Sequence, residues 1–283
     1  MIPWHIQARI TSARRGSPES LMYLAGYLSE EQTPERALAV LPSFFHAIKA
    51  NPPPGPRGPK PNQITLDVVN AVMRGLLSAS GCLQQSEAVV RRYADGWQYV
   101  WPWVVFLAEE YLLGTDVQDQ SNGLRSYSAI FCVLIVERYC SEPAIRVLAV
   151  SSPLILNCIC RLWIRQAEDP SLSSLELEGI DGQEPILYPS CSRALNGLMK
   201  GDLSAVMAEL RKHLDEAKLA STAVAHLDRQ PPHPESLENI QSDLKLFDAL
   251  VGIPQLRSVI FDEAKGLIGI AQTLVTAMSI PLS

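Results

Sequence analysis

SPESLMYLAGYLSEEQTPERALAV, residues 17–40, carries the reading that decides the fold. Ser17-Pro18-Glu19 and Thr33-Pro34-Glu35 each set a hydroxyl before a proline and an acid. A hydroxyl at the N-cap accepts from free amides of the first turn. Proline at the next position lacks an amide that would have no partner anyway, and an acid favours the positive end of the helix dipole. Between the two starts, Leu21, Leu24, Ala25 and Leu28 recur at helical spacing, which predicts a buried stripe. Ser152-Pro153 repeats the device. The chain therefore predicts one amphipathic helix after another. Pro42 is expected to kink or restart the second of these, ahead of Phe44, Phe45 and Ile48.

Outward from this stretch, residues 51–62 (NPPPGPRGPKPN) hold six prolines and two glycines and predict an extended, exposed connector. A plain connector is preferred over a proline-directed docking motif at Pro53–Pro56 or Pro56–Pro59. Helices are expected at Ile64–Ser78, Ser86–Ala94 and Trp97–Leu113, the last with Pro102 in its first turn. Trp97, Trp101, Val104, Val105 and Ala108 can share one face of it. Helices at Tyr127–Tyr139, Pro143–Val150 and Pro153–Glu168 continue the series. The Ile130–Val136 run is rich in strand formers but is read as helix because its flanks are helical. Residues 169–190 carry five acids and no base, and predict a long acidic loop. Ser192–Lys200 and Asp202–Leu219 follow as helices. The second has an apolar side of Leu203, Val206, Met207, Leu210 and Leu214, and i,i+4 pairs Arg211–Asp215 and Lys212–Glu216. A Pro-rich loop at 221–235 precedes helices at Ile240–Val251 and Pro254–Ala264 and an uncharged amphipathic segment at Gly266–Ser283.

Composition sets bounds on function. The 283 residues are 47% hydrophobic and 19% charged, enough apolar content for a sizeable core. Net charge is −6, and residues 101–283 hold fourteen bases against twenty-three acids, which argues against a nucleic-acid partner. Cys82, Cys132, Cys140, Cys158, Cys160 and Cys191 form no C-x-x-C pair and mostly sit in apolar runs, as small core residues do. That usage fits a reducing intracellular compartment, cytoplasm or nucleus. The base-rich, acid-free first 18 residues faintly resemble a mitochondrial transit peptide, but an ordinary first helix is the preferred reading. The uncharged C-terminal segment is amphipathic and too short to cross a bilayer before Pro281, so no membrane partner is expected.

Catalytic motifs are missing. There is no G-x-S-x-G, no Gly-rich phosphate loop and no H-E-x-x-H, and Asp116 and Asp119 stand apart from other acids. Cys158 and Cys160, two apart on a helix, point in divergent directions and make a poor metal pair. His5, His46, His213, His226 and His233 are scattered, and the last two are read as exposed residues beside a Pro-rich loop. A faint repeat is present. Ser86-Glu87 with Arg91 recurs as Ser141-Glu142 with Arg146, and Pro143-Ala144-Ile145-Arg146 echoes as Pro254-Gln255-Leu256-Arg257. These spacings, 55 and 111 residues, exceed the usual armadillo or HEAT period and imply loop insertions.

The order of signposts resembles a known family. Gly16-Ser17-Pro18-Glu19-Ser20-Leu21 opens a short helix, and Leu41-Pro42-Ser43-Phe44-Phe45 precedes the Pro-rich gap. Asp95-Gly96-Trp97 leads into Trp101-Pro102-Trp103-Val104-Val105-Phe106-Leu107. Leu162-Trp163-Ile164 with Glu168-Asp169-Pro170 ends a long helix, and Ile253-Pro254-Gln255-Leu256-Arg257 comes late. This pattern, from about residue 12 onward, resembles the N-terminal helical region of basidiomycete (mushroom-type) fungal proteins, many of which carry a MYND-type zinc finger. The finger's paired C-x-x-C ligands are absent here, so neither its zinc nor its peptide-binding role carries over, nor does any methyltransferase activity. The resemblance implies a finger-less member or a shortened gene product.

The expected architecture is a single all-α domain over 1–283, an armadillo/HEAT-like right-handed α-solenoid. The expected role is a non-enzymatic scaffold binding a protein or peptide along a groove, with no cofactor, metal or catalytic residue. Trp101, Trp103, Glu176, Glu178 and Asp181 are the candidate contact residues. The alternatives are a truncated regulatory domain of a larger MYND-type protein and an enzyme whose site assembles from distant residues, such as a Cys–His dyad.

Overall fold

Capping begins the helices where the hydroxyls and prolines predict. In the computed structural model, Ser17 Oγ accepts from the Ser20 amide at 3.2 Å and Thr33 Oγ1 from the Arg36 amide at 3.5 Å. The structure describes residues 3–55, 58–114, 122–152, 154–169, 176–177, 186–187, 191–228 and 237–263. The helices are α1 (Trp4–Arg14), α2 (Pro18–Glu30), α3 (Pro34–Ala50), α4 (Gln63–Ser80), α5 (Glu87–Ala108), α6 (Asn122–Ser141), α7 (Pro143–Ser151) and α8 (Ile155–Glu168). They continue with α9 (Cys191–Met199), α10 (Leu203–His213), α11 (Glu216–Asp228), α12 (Leu237–Val251) and α13 (Pro254–Glu263). A π-helical turn, Glu109–Leu113, extends α5. Among the described residues the chain is all-α apart from one antiparallel two-residue pair, β1 (Glu176–Leu177) with β2 (Ile186–Leu187), in register Glu176 to Leu187. The expected acidic loop thus contains a short hairpin ladder, while Glu178 and Asp181 lie outside the described residues, as does the segment 266–283.

Four boundaries differ from expectation. Pro42 neither restarts nor ends α3, which runs through it. The segments predicted at 86–94 and 97–113 are one helix, with Gly96 and Pro102 in its interior. Gly96 persists because of packing. A Cβ there would lie 2.1 Å from Phe45 Cε1, just as one at Gly75 would lie 2.1 Å from Phe44 Cζ. Phe44 and Phe45 thus seat on two different helices, α4 and α5, and each needs a glycine beneath its ring. The predicted helix 202–219 breaks at Leu214. There Asp215 Oδ1 accepts from the Lys218 amide at 2.8 Å and starts α11, so the region expected to be loop from 221 is helical to Asp228. The break also removes the two expected i,i+4 pairs: Arg211 approaches Glu216 at 4.0 Å and Lys212 bonds Glu209 at 2.6 Å. Finally, Ser152 ends α7 instead of capping α8. Its hydroxyl donates to the Leu148 carbonyl and accepts from Trp97 Nε1, both at 2.6 Å.

Packing runs along two successions of helices. In one, α2 lies on α4, α4 on α6, α6 on α9 and α9 on α12. In the other, α1 lies on α3, α3 on α5, α5 on α7 and α8, α8 on α10 and α11, and α11 on α13. The two are joined where α1 meets α2, α3 meets α4, α5 meets α6, α8 meets α9 and α11 meets α12. One continuous core of buried apolar side chains fills the space between them, including Leu21, Leu24, Ala25 and Leu28 as predicted, and Trp103, Tyr93, Tyr139 and Trp163. Burial of such side chains contributes about 1.5–3 kcal/mol each. The faint sequence echo has a structural meaning. Arg146 Nε donates to the Cys140 carbonyl at 2.8 Å and Arg257 Nε to the Val251 carbonyl at 3.2 Å. In both places the arginine in the first turn of one helix reaches six residues back to the end of the helix before it.

Candidate functional site: a cationic groove

The first succession of helices forms one side of a groove of about 650 Å³. The ends of α4 (Ser80, Gly81), α6 (Cys140, Ser141) and α9 (Met199, Lys200) open into it, and α12 contributes Ser242, Lys245 and Ala249. Two contacts keep the walls apart at a fixed distance. A Cβ on Gly197 would lie 2.8 Å from Cys140 Cβ, so glycine lets α9 close on α6. Asn196 Nδ2 donates to the Ser242 carbonyl at 2.6 Å and joins α9 to α12. At the head of α9, Gln166 Oε1 accepts from the Cys191 amide at 2.9 Å, and Ser192 Oγ accepts from Trp163 Nε1 at 3.0 Å.

Charge in the groove is one-sided. Among the described residues, Arg138, Arg146, Arg193, Lys200 and Lys245 line it against one carboxylate, Glu137. Arg193 reaches Glu137 at 3.0 Å. Arg146 is held by the Cys140 and Ser141 carbonyls. A cationic groove on a chain of net charge −6 concentrates positive potential in one place. Sequence reading missed these residues because they lie on helices 50 to 100 positions apart. A signal was present on single helices: Arg193, Gly197 and Lys200 fall at i, i+4 and i+7, as Ser242, Lys245 and Ala249 fall at i, i+3 and i+7.

Trp101 and Trp103 are not among the residues of this groove. Trp103 is fully buried and donates from Nε1 to the Asn51 carbonyl at 2.7 Å, so it ties the Pro-rich connector to α5 and offers no surface to a partner. Trp101 is half-buried against the core. Glu176 is placed only through the backbone of β1, which lies against α6. A second, shallower depression of about 460 Å³ separates α3 from α5, with Lys49 over the Tyr99 ring at 5.2 Å.

Several cysteines and histidines are packed into the fold. Burial pushes the Cys132, Cys158 and Cys160 thiols far up and Cys140 to about 12, which keeps them protonated and poorly nucleophilic. His226, expected to be exposed, is 5% exposed, stacks on Trp163 at 5.0 Å and meets the Trp163 carbonyl through Nε2 at 2.9 Å. His213 Nε2 lies 3.5 Å from Glu209 and 3.1 Å from the Asn157 amide. Burial opposes the Glu209 charge, and hydrogen bonds from Lys212 and Asn157 outweigh it, leaving the carboxyl below its ordinary value. Among the described residues no group of three His, Cys, Asp or Glu is placed to hold a metal, and no single helix is long and apolar enough to cross a membrane.

Fold and groove together define a class: an all-helical protein with a cationic cleft shared by several helices. No family model, curated protein or solved structure matches the chain.

Proposed function

We propose that this protein is a non-enzymatic helical-repeat scaffold of armadillo-like type that binds a protein or peptide segment in the groove bordered by α4, α6, α9 and α12. The observation that carries the reading is the groove itself, open along a succession of stacked helices and rigidified by helix-to-helix contacts. Stacked helical units create long surfaces that match extended partners. The alternation of two helix successions and the matched Arg146 and Arg257 joints support the repeat assignment. The resemblance to the helical region of MYND-type fungal proteins is compatible with it and adds no activity.

Selection from a displayed random-peptide library on the folded chain tests the proposal. Recovered peptides are expected to bind the native protein and to be lost with Leu203→Asp, which places a charge at a 42% exposed apolar position on the groove wall. Peptides that bind that variant equally, or a selection that enriches nothing, would count against the groove.

A further inference from the structure

We infer that the groove takes an acidic peptide segment with apolar side chains at intervals. This rests on the proposed peptide-binding role and names the ligand's chemistry at the same site.

Three of the five cations, Arg138, Lys200 and Lys245, are exposed, and none has a carboxylate within ion-pair distance among the described residues. Compensation of helix ends explains part of this charge, since Arg138 lies in the last turn of α6 and Lys200 just after α9. It does not explain Lys245, which sits inside α12. The cations come from three places along the chain, the end of α6, the end of α9 and the interior of α12, and all three line the same groove. Cations supplied by different helices complement carboxylates carried on one chain that crosses those helices.

Met199, Leu203 and Ala249 line the same groove and offer apolar contact to side chains of a ligand. No aromatic ring is among the described residues lining the groove, which gives a nucleic-acid base no stacking partner among them. The acidic remainder of the molecule also repels a polyanion longer than the groove. From α4 to α12 there are three helix-to-helix steps. At roughly 8–10 Å a step and roughly 3.3 Å per extended residue, the groove spans about eight residues.

The test is fluorescence anisotropy of the full chain with a labelled peptide of about eight residues, alternating glutamate and leucine. Matched peptides carry glutamine or lysine in place of glutamate, and a single-stranded RNA oligonucleotide is titrated in parallel. The acidic peptide is expected to bind about tenfold or more tightly than the glutamine peptide, with an affinity that falls as salt rises. The double variant Lys200→Glu/Lys245→Glu should weaken it about tenfold with an unchanged melting curve. Lys49→Glu, in the α3–α5 depression, should bind as the native chain does. Equal binding of the glutamine and glutamate peptides, both lost with Leu203→Asp, overturns the acidic ligand and leaves the peptide groove standing. RNA binding that is lost in the double variant overturns the peptide in favour of a polyanion. Failure of every peptide and of the RNA to bind overturns both this inference and the proposed function.

Discussion

At the scale of single residues, the core contains polar groups whose cost can be measured. Tyr139 is fully buried between Tyr93 at 4.9 Å and Trp97 at 5.0 Å, and its hydroxyl has no hydrogen-bond partner among the described residues. Ser43 Oγ is in the same position. An unsatisfied buried hydroxyl costs about 1–3 kcal/mol of desolvation, so its removal without loss of shape should not destabilise the fold. Tyr139→Phe is therefore expected to leave the unfolding free energy measured in urea unchanged or raise it, and a fall of more than about 1 kcal/mol would show a hidden partner. Glu209 gives the opposite case. Its carboxylate is 8% exposed and faces Lys212, Asn157 and His213, and its folded value lies below the ordinary 4.5. A carboxyl held low in the folded state adds stability above its unfolded value and loses it as pH falls through the folded one. Glu209→Gln should therefore be less stable than the native chain at neutral pH, and the gap should close below about pH 4.5. A gap that stays constant across this window would place the effect in packing, not charge.

At the scale of elements, local sequence settled some helix starts and missed others. Caps at Ser17 and Thr33 were legible because the hydroxyl, the proline and the acid act within one turn. Continuity through Gly96 and Pro102 was not legible, because it depends on Phe45 and on partners in other helices. The same reason hid the groove: each cation reads as an ordinary solvated residue until α6, α9 and α12 are placed side by side. The glycines under the paired phenylalanines give a test at this scale. Alanine is the better helix former by about 1 kcal/mol, yet a methyl 2.1 Å from a ring must push the ring away. Overpacking of this kind costs about 1–3 kcal/mol, so Gly75→Ala should lower thermal stability despite its propensity gain. Phe44→Leu placed in the same chain should recover part of the loss, and additive effects of the two substitutions would rule out the direct contact. The arginine joints can be probed alike. Arg146→Met removes donors to two carbonyls and is expected to cost more than Arg257→Met, which removes the bond to Val251 from an exposed side chain.

At the scale of the whole molecule, the question is whether the helices behave as a stack or as a single cooperative globule. Each succession passes its contacts from one helix to the next, so α12 meets α9, α11 and α13 while α2 meets α1, α3 and α4. If stability is carried by such nearest-neighbour terms, damage at one end should stay there. Leu250 is fully buried in α12, and truncating it to alanine removes about 2–5 kcal/mol of local packing. Native-state hydrogen exchange of Leu250→Ala should then show faster exchange in α9, α11, α12 and α13, with α2, α3 and α4 at their native rates. A globule that opens only as a unit gives the other pattern, in which all slowly exchanging amides accelerate by the same factor. That uniform result would remove the physical basis for a repeat stack, and with it the reason to expect an extended ligand to lie across several helices. The localised result would support a stack in which each helix is held by its neighbours, the property that lets α6, α9 and α12 present their cations together to a ligand lying across them.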